Sequence, residues 1–203
     1  MIVIVDYGMG NNYSVIKAFN RLGVEVKVSN NSEDILGADK LILPGVGNFK
    51  TGISNMKSSG CIKSLEEAVT RNKVPILGIC LGAQLLLQHS EEGDVEGLGW
   101  IKGIALKFKS DLSQNKIPHV GWNSIVTSDK CKLFKGLPNN TSFYFVHSYY
   151  MSCEQEENSL GVTQYINQFD SVVGYENIIG VQFHPEKSHS EGLIVLRNFL
   201  DNY

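Results

Sequence analysis

The chain has 203 residues, enough for one domain with a substantial core. Hydrophobic residues make up 42% and charged residues 19%, which excludes disordered and fibrous classes. The formal net charge is -3 and no dense Lys/Arg block occurs, which argues against nucleic acid or an anionic membrane surface as partner.

The opening "MIVIVDYG" reads as a first core strand, Ile2 to Val5. It lacks a basic segment and Asp6 interrupts its apolar run, so it does not read as a secretion signal. Ser14 to Leu22 has helical spacing through Val15, Ala18, Phe19 and Leu22. "VEVKV" alternates with the period of a half-buried strand. "KLILPGVG" reads as a buried strand ending in a Pro/Gly turn. Helices are predicted around Ile53 to Met56 and Ile62 to Val69. "VPILGIC" is a further buried strand, and "LGAQLLLQ" opens the next helix, with His89 on its polar side. This alternation predicts a parallel sheet covered by helices.

The second half changes character. "GIALKF", "SFYFVHSYY", "LGVTQYI", "SVVGYE" and "IIGVQFH" follow one another with short turns. They predict antiparallel strands, joined to the same sheet or packed beside it. A last helix carries an apolar stripe of Leu193, Leu196 and Leu200, and "SHSE" (Ser188 to Glu191) fits a capping box before it. No apolar run approaches the ~20 residues that span a bilayer. No repeat or linker interrupts the pattern, so one α/β domain over residues 1–203 is expected.

The cysteines are Cys61, Cys80, Cys131 and Cys153, without a Cys-x-x-Cys pair. That disfavours zinc ribbons, dithiol redox motifs and a disulfide framework, and fits a reducing compartment. Cys80 stands apart. It ends a strand in Gly-x-Cys-x-Gly, the cysteine counterpart of a nucleophile elbow. Glycines permit a tight strand-to-helix turn, and the helix N-terminus aims amides and a positive dipole end at the sulfur. The alternative is a buried structural cysteine.

A thiolate nucleophile needs a base, and the base an orienting group. Of five histidines, His184 has the best context, in "GVQFHPEKS". In an extended segment Gln182, His184 and Glu186 share one side, opposite Val181 and Phe183. Glu186 can then fix the tautomer of His184. The alternative is an ordinary polar strand end. "LPGVGNF" offers backbone amides for a developing oxyanion; the alternative is a connecting turn. It lacks the Walker spacing, and "GMGNNY" lacks the third glycine of a dinucleotide fingerprint.

"PGVG", "GICLGAQ" and "GVQFHPEKS", in that order, resemble the class I (triad) glutamine amidotransferases. "DYGMGN", "LILPGVGNF", "SEEG", "EGLG", "PHVGWN" and "YFVHSYY" narrow the likeness to the family of imidazole glycerol phosphate synthase glutaminase subunits. The resemblance implies a flavodoxin-like class I glutaminase fold, a mixed but mostly parallel central sheet with an added antiparallel portion. It implies that Cys80 attacks the glutamine carboxamide, with His184 as base and then acid and Glu186 orienting it. Backbone amides of Val46, Gly47 and Leu81 would form the oxyanion hole. Gln84, Glu92, His147, Ser148 and Tyr149 would line the glutamine pocket. Asn11, Asn12, Pro118, Val120, Trp122 and Asn123 would face a (β/α)8-barrel cyclase subunit. That cytoplasmic heterodimer channels ammonia in histidine biosynthesis, without metal or cofactor.

Departures from the family pattern are apolar: Ala83 and Val120 stand where methionine is common. Asn12-Tyr13 is a less usual continuation of the first motif. "EGLGWI", "FYFVHSYY" and "HPEKSHSEG" also resemble paralogous glutaminases whose barrel partner amidinates a surface-glycan sugar. A non-glutaminase cysteine hydrolase of related fold is the remaining alternative.

Overall fold

The computed structural model describes residues 1–109, 116–128 and 131–203. In chain order the first half runs β1 (Ile2–Val5), α1 (Asn12–Arg21), β2 (Val26–Ser29), α2 (Ser32–Leu36), β3 (Lys40–Gly45), α3 (Phe49–Ser59), α4 (Cys61–Glu66), β4 (Ile76–Cys80) and α5 (Leu81–Leu85). Then come β5 (Leu87–Ser90), β6 (Val95–Glu96), β7 (Ile101–Lys107), β8 (His119–Ser124) and β9 (Val126–Thr127). The chain ends with β10 (Ser142–His147), β11 (Tyr149–Cys153), β12 (Ser159–Gln164), β13 (Gln168–Tyr175), β14 (Ile178–Val181) and α6 (His189–Asn202).

Among the described residues the main sheet has the order β2-β1-β3-β4-β14-β13-β11-β7-β5-β6, with β12 and β9 branching from β13. From β2 to β14 the pairings are parallel; β14–β13, β13–β11 and β11–β7 are antiparallel, β7–β5 is parallel again and β5–β6 antiparallel. The predicted mixed sheet is present. "SFYFVHSYY" divides at Ser148: β10 joins β8 in a separate antiparallel ribbon, while β11 enters the main sheet.

The apolar runs of the first half reflect burial on both faces. On β1, Val3 and Val5 join one core, with residues of α2 to α5, and Ile4 joins the other, with residues of α1 and α6. On β3, Leu41 and Leu43 face the first and Ile42 the second. The second core also takes Phe143 and Phe145 of β10 and Val195, Leu196 and Phe199 of α6.

Three local expectations change. The helix after Cys80 stops at Leu85, and Leu87–Ser90 is a strand. Leu85, Leu86 and Leu87 are all fully buried, which a one-faced surface helix cannot achieve. His89 therefore lies on β5, half-buried, and meets Asp94 at 3.1 Å. The capping box does not form: Ser188 makes no side-chain cap bond to α6. Its hydroxyl donates to the His184 carbonyl at 2.7 Å and accepts from the Tyr144 amide at 3.0 Å. No described helix is long and apolar enough to cross a membrane.

Candidate active site

Gly45 of β3 and Cys80 of β4 pair at the ends of adjacent parallel strands. There β4 turns directly into α5, and Cys80 takes φ +55°, a left-handed conformation costly for a non-glycine residue. The flanking glycines make the turn feasible. A Cβ on Gly82 would lie 1.8 Å from the Leu43 carbonyl oxygen, and one on Gly78 would lie 2.8 Å from the Ala83 backbone. Helix and strands touch backbone to backbone, which leaves the cysteine at the mouth of a cavity. With only five residues, α5 aligns few peptide dipoles, so the charge on the sulfur depends more on nearby side chains than the sequence implies.

The cavity has a volume of about 390 Å³, suited to a small metabolite. Its lining includes Cys80, Leu81 and His184, Val46 and Gly47 of the loop after β3, and Gln84, Glu92, His147, Ser148 and Tyr149. Pro118 and Val146 complete it. The sequence-predicted pocket residues thus surround one space, although they come from distant parts of the chain.

His184 is 1% exposed. Its Nδ1 lies 2.8 Å from Glu186 Oε1, and both side chains are buried. They do not share a strand face, contrary to the expectation from alternation. Pro185–Lys187 is a 3₁₀ turn, and it is this turn that brings Glu186 back under the imidazole. Burial alone would lower the His184 pKa. The charge on Cys80 and its approach to the ring, then Glu186, overcome burial and raise it to about 10. His184 Nε2 is buried without a hydrogen-bond partner among the described residues.

The other cysteines are poor nucleophiles. Burial raises the thiol pKa of Cys61, and that of Cys131 to about 11; burial and then Asp170 raise that of Cys153.

Around the pocket, the Glu92 carboxylate accepts from the Phe49 amide at 2.7 Å and so ties itself to the start of α3. Tyr7 of "DYGMGN" is buried and donates to the Pro44 carbonyl at 2.7 Å, which ties the loop after β1 to the end of β3. The Val46 amide is committed elsewhere: it donates to the Met9 carbonyl at 2.7 Å. Gly47 follows at φ +105°.

His147 lines the cavity, yet both its ring nitrogens are occupied inside the protein. Nδ1 lies 2.7 Å from the Tyr149 carbonyl and Nε2 lies 2.9 Å from His119 Nδ1. A carbonyl only accepts, so His147 carries its proton on Nδ1 and accepts at Nε2 from His119. The His119 Nε2 then accepts from Asn123 Nδ2 at 3.3 Å. Burial depresses both, to about 4 for His119 and about 3 for His147, so the pair is neutral. Nothing local in the sequence signals this pairing, because it needs the alignment of β8 with β10; His119 and His147 stand opposite in that ribbon.

On β8, Val120 and Trp122 are exposed, whereas His119 is buried and Asn123 half-buried. Asn123 also donates to the Gln164 carbonyl, at 2.9 Å. Trp122 stacks on His189, with ring centroids 4.9 Å apart. Asn11 caps α1 through Ser14, Asn12 is half-buried, and Pro118 is exposed at the cavity rim. The face expected to meet a partner is thus open at Val120 and Trp122 and inward-turned at Asn123. No cluster of potential metal ligands occurs among the described residues.

Residues 3–202 match the glutamine amidotransferase class-I family. The imidazole glycerol phosphate synthase subunit HisH 2 of Methanococcus maripaludis is 49% identical over 200 residues, covering 98% of both chains. The subunit HisH 1 of Campylobacter jejuni (strain RM1221) is 46% identical over 201 residues, covering 98% of this chain and 99% of its own. Among solved structures, a glutamine amidotransferase superposes with a TM-score of 0.73 at 20% identity, covering 99% of this chain and 98% of its own. The PurLQS structure from Thermotoga maritima gives 0.71 at 18% identity, covering 98% of this chain and 97% of its own. At those identities the structural likeness speaks to the fold alone.

Proposed function

Because this chain belongs to the class I glutamine amidotransferases, and is similar along its length to HisH glutaminase subunits, we propose that residues 1–203 act as one glutaminase domain with Cys80, His184 and Glu186 as its catalytic residues. The observation that carries the assignment is the shared cavity: a strained cysteine and a buried His-Glu pair line or back the same space.

The Cys80 thiolate attacks the carboxamide carbon of glutamine. Protonated His184, held by Glu186, gives its Nε2 proton to the departing nitrogen, and ammonia leaves. The glutamyl thioester remains on Cys80. His184, now neutral, takes a proton from water as that water attacks the thioester, and glutamate is released. Glu92 and the Ser148-Tyr149 segment hold the amino-acid end of glutamine. Ammonia passes to a (β/α)8-barrel cyclase subunit seated over Val120 and Trp122, which uses it in histidine biosynthesis.

The oxyanion needs donors from Leu81 and from the Val46-Gly47 segment. With its amide on Met9, Val46 is withheld, so the resting chain is slow. Met9 lies two residues before Asn11, on the expected partner face, so docking there can release Val46. One such donor is worth ~10²–10³ in turnover. The test compares glutamine hydrolysis by the chain alone, with the barrel partner, and with partner plus an acceptor analogue. Rising rates support coupling; equal rates reject it. Complementation of a histidine auxotroph decides the pathway. Intact glutaminase activity without complementation would shift the reading to a sugar-amidinating partner.

A further inference from the structure

Gln182 is fully buried beside the nucleophile, and its sequence context does not single it out. Its Nε2 donates to Cys80 Sγ at 3.8 Å, and its Oε1 accepts from Gln84 Nε2 at 2.9 Å. The same Gln84 nitrogen donates to the Tyr149 carbonyl at 2.9 Å.

Which end of each amide faces which partner follows from chemistry. The Tyr149 carbonyl can only accept, so Gln84 must present its nitrogen there. That nitrogen also meets Gln182, so Gln182 must answer with its oxygen. The Gln182 nitrogen is thereby turned to the sulfur. His147 Nδ1 donates to the same Tyr149 carbonyl and braces the node from the other side.

Resting on the proposed function, we infer that Gln182 is a further catalytic residue: its amide N–H holds negative charge on the Cys80 sulfur, and Gln84 is the positioning residue that keeps that amide from turning over. Both hydrogens of the Gln84 amide are engaged inside the protein, which leaves its Oε1 as the atom for glutamine. A donor fixed by a chain of acceptors is already in place when charge develops, so no reorganisation accompanies thiolate formation. The titratable groups that also face Cys80 are His184, with Glu186 behind it, and Tyr7, with His147 beyond His184.

The experiment follows Cys80 alkylation by iodoacetamide as a function of pH, read by mass spectrometry on the folded protein. Gln182→Met keeps volume and removes the donor; it should move the midpoint of the profile up by about one pH unit, as expected for losing a hydrogen bond to a charged group. Gln182→Glu should move it further. Gln84→Met should move it in the same direction, and adding it to Gln182→Met should change little, because the two act as a unit. An unchanged midpoint in folded Gln182→Met overturns the role of Gln182; additive shifts overturn the role of Gln84. Should either variant fail to fold, the Gln182 side-chain amide of ¹⁵N-labelled wild-type protein decides. Its signals must shift across the pH range in which alkylation turns on, and constancy there rejects the inference. This assay contains no glutamine, so a wild-type protein lacking glutaminase activity would overturn the functional reading separately.

Discussion

His184 Nδ1 and Glu186 Oε1 meet at 2.8 Å across a single proline, with both side chains 2% exposed. The 3₁₀ turn makes this pair, and the Ser188 hydroxyl, bonded to the His184 carbonyl, secures it. His184→Ala should lower glutaminase turnover by several orders of magnitude, since acid and base roles typically supply ~10²–10⁴-fold each. Glu186→Gln should cost less, because an amide oxygen still accepts from Nδ1 while the charge that favours imidazolium is gone. His147→Ala should leave the chemical step far less affected, because both its nitrogens are occupied. Steady-state kinetics of the three variants with the barrel partner bound check this ordering. Equal losses in His147→Ala and His184→Ala would reassign the base.

Gly82 is a packing requirement of the turn after Cys80. Its missing Cβ leaves room for the Leu43 carbonyl oxygen, which a methyl group would approach to 1.8 Å. The clash is with backbone, so no side chain can yield to relieve it. Gly82→Ala should destabilise by about 3 kcal/mol, the upper end of overpacking with backbone shifts. Urea unfolding measures this. Gly99, with no neighbour within 4 Å, sits at φ +68° and offers a comparison in which strain acts without a clash.

The neutral His119–His147 pair ties stability to pH. Both have folded pKa values below the unfolded value of about 6.5, at about 4 and about 3. Above pH about 6.5 neither state binds the proton, so no penalty arises. Below it the unfolded chain takes up protons that the folded chain refuses, and stability falls by about 1.4 kcal/mol per pH unit for each histidine. The fall continues toward pH 4 for His119 and pH 3 for His147. His184 adds nothing to this slope: its pKa is raised, so its contribution is complete below the unfolded value and is lost only as pH rises toward about 10. Urea midpoints between mild acid and neutral pH should decline less steeply in His147→Gln than in wild type. Identical slopes would show that the pair titrates freely.

Much of the first half was legible because its strands are covered on both faces and its glycines mark the turns. "IVIV" and "LIL" mark buried parallel strands, and Gly-x-Cys-x-Gly marks the elbow, without any knowledge of contacts. Leu85–Leu86–Leu87 was not legible, since a short fully apolar run fits helix or strand equally well. The partnership of Glu186 with His184 is legible but its geometry is not: alternation reads extended chain, whereas Pro185 begins a turn. The contact of Gln182 with Cys80 and the pairing of His119 with His147 are not legible, because each joins residues far apart in sequence. Val46 shows the same limit: nothing local to "PGVG" reveals that Met9 holds its amide.

That Cys80 carries the glutamyl group is the premise on which the proposed chemistry depends. It is tested most directly by acid-quenching the protein with glutamine and the barrel partner, then locating the acyl adduct by peptide mass spectrometry. A glutamine-analogue electrophile supplies the stable counterpart. Expected are a glutamyl thioester on Cys80, its absence in Cys80→Ala, and loss of glutamine hydrolysis in that variant while it still folds and binds the partner. An adduct on Cys61, Cys131 or Cys153 instead, or hydrolysis that survives Cys80→Ala, would contradict it.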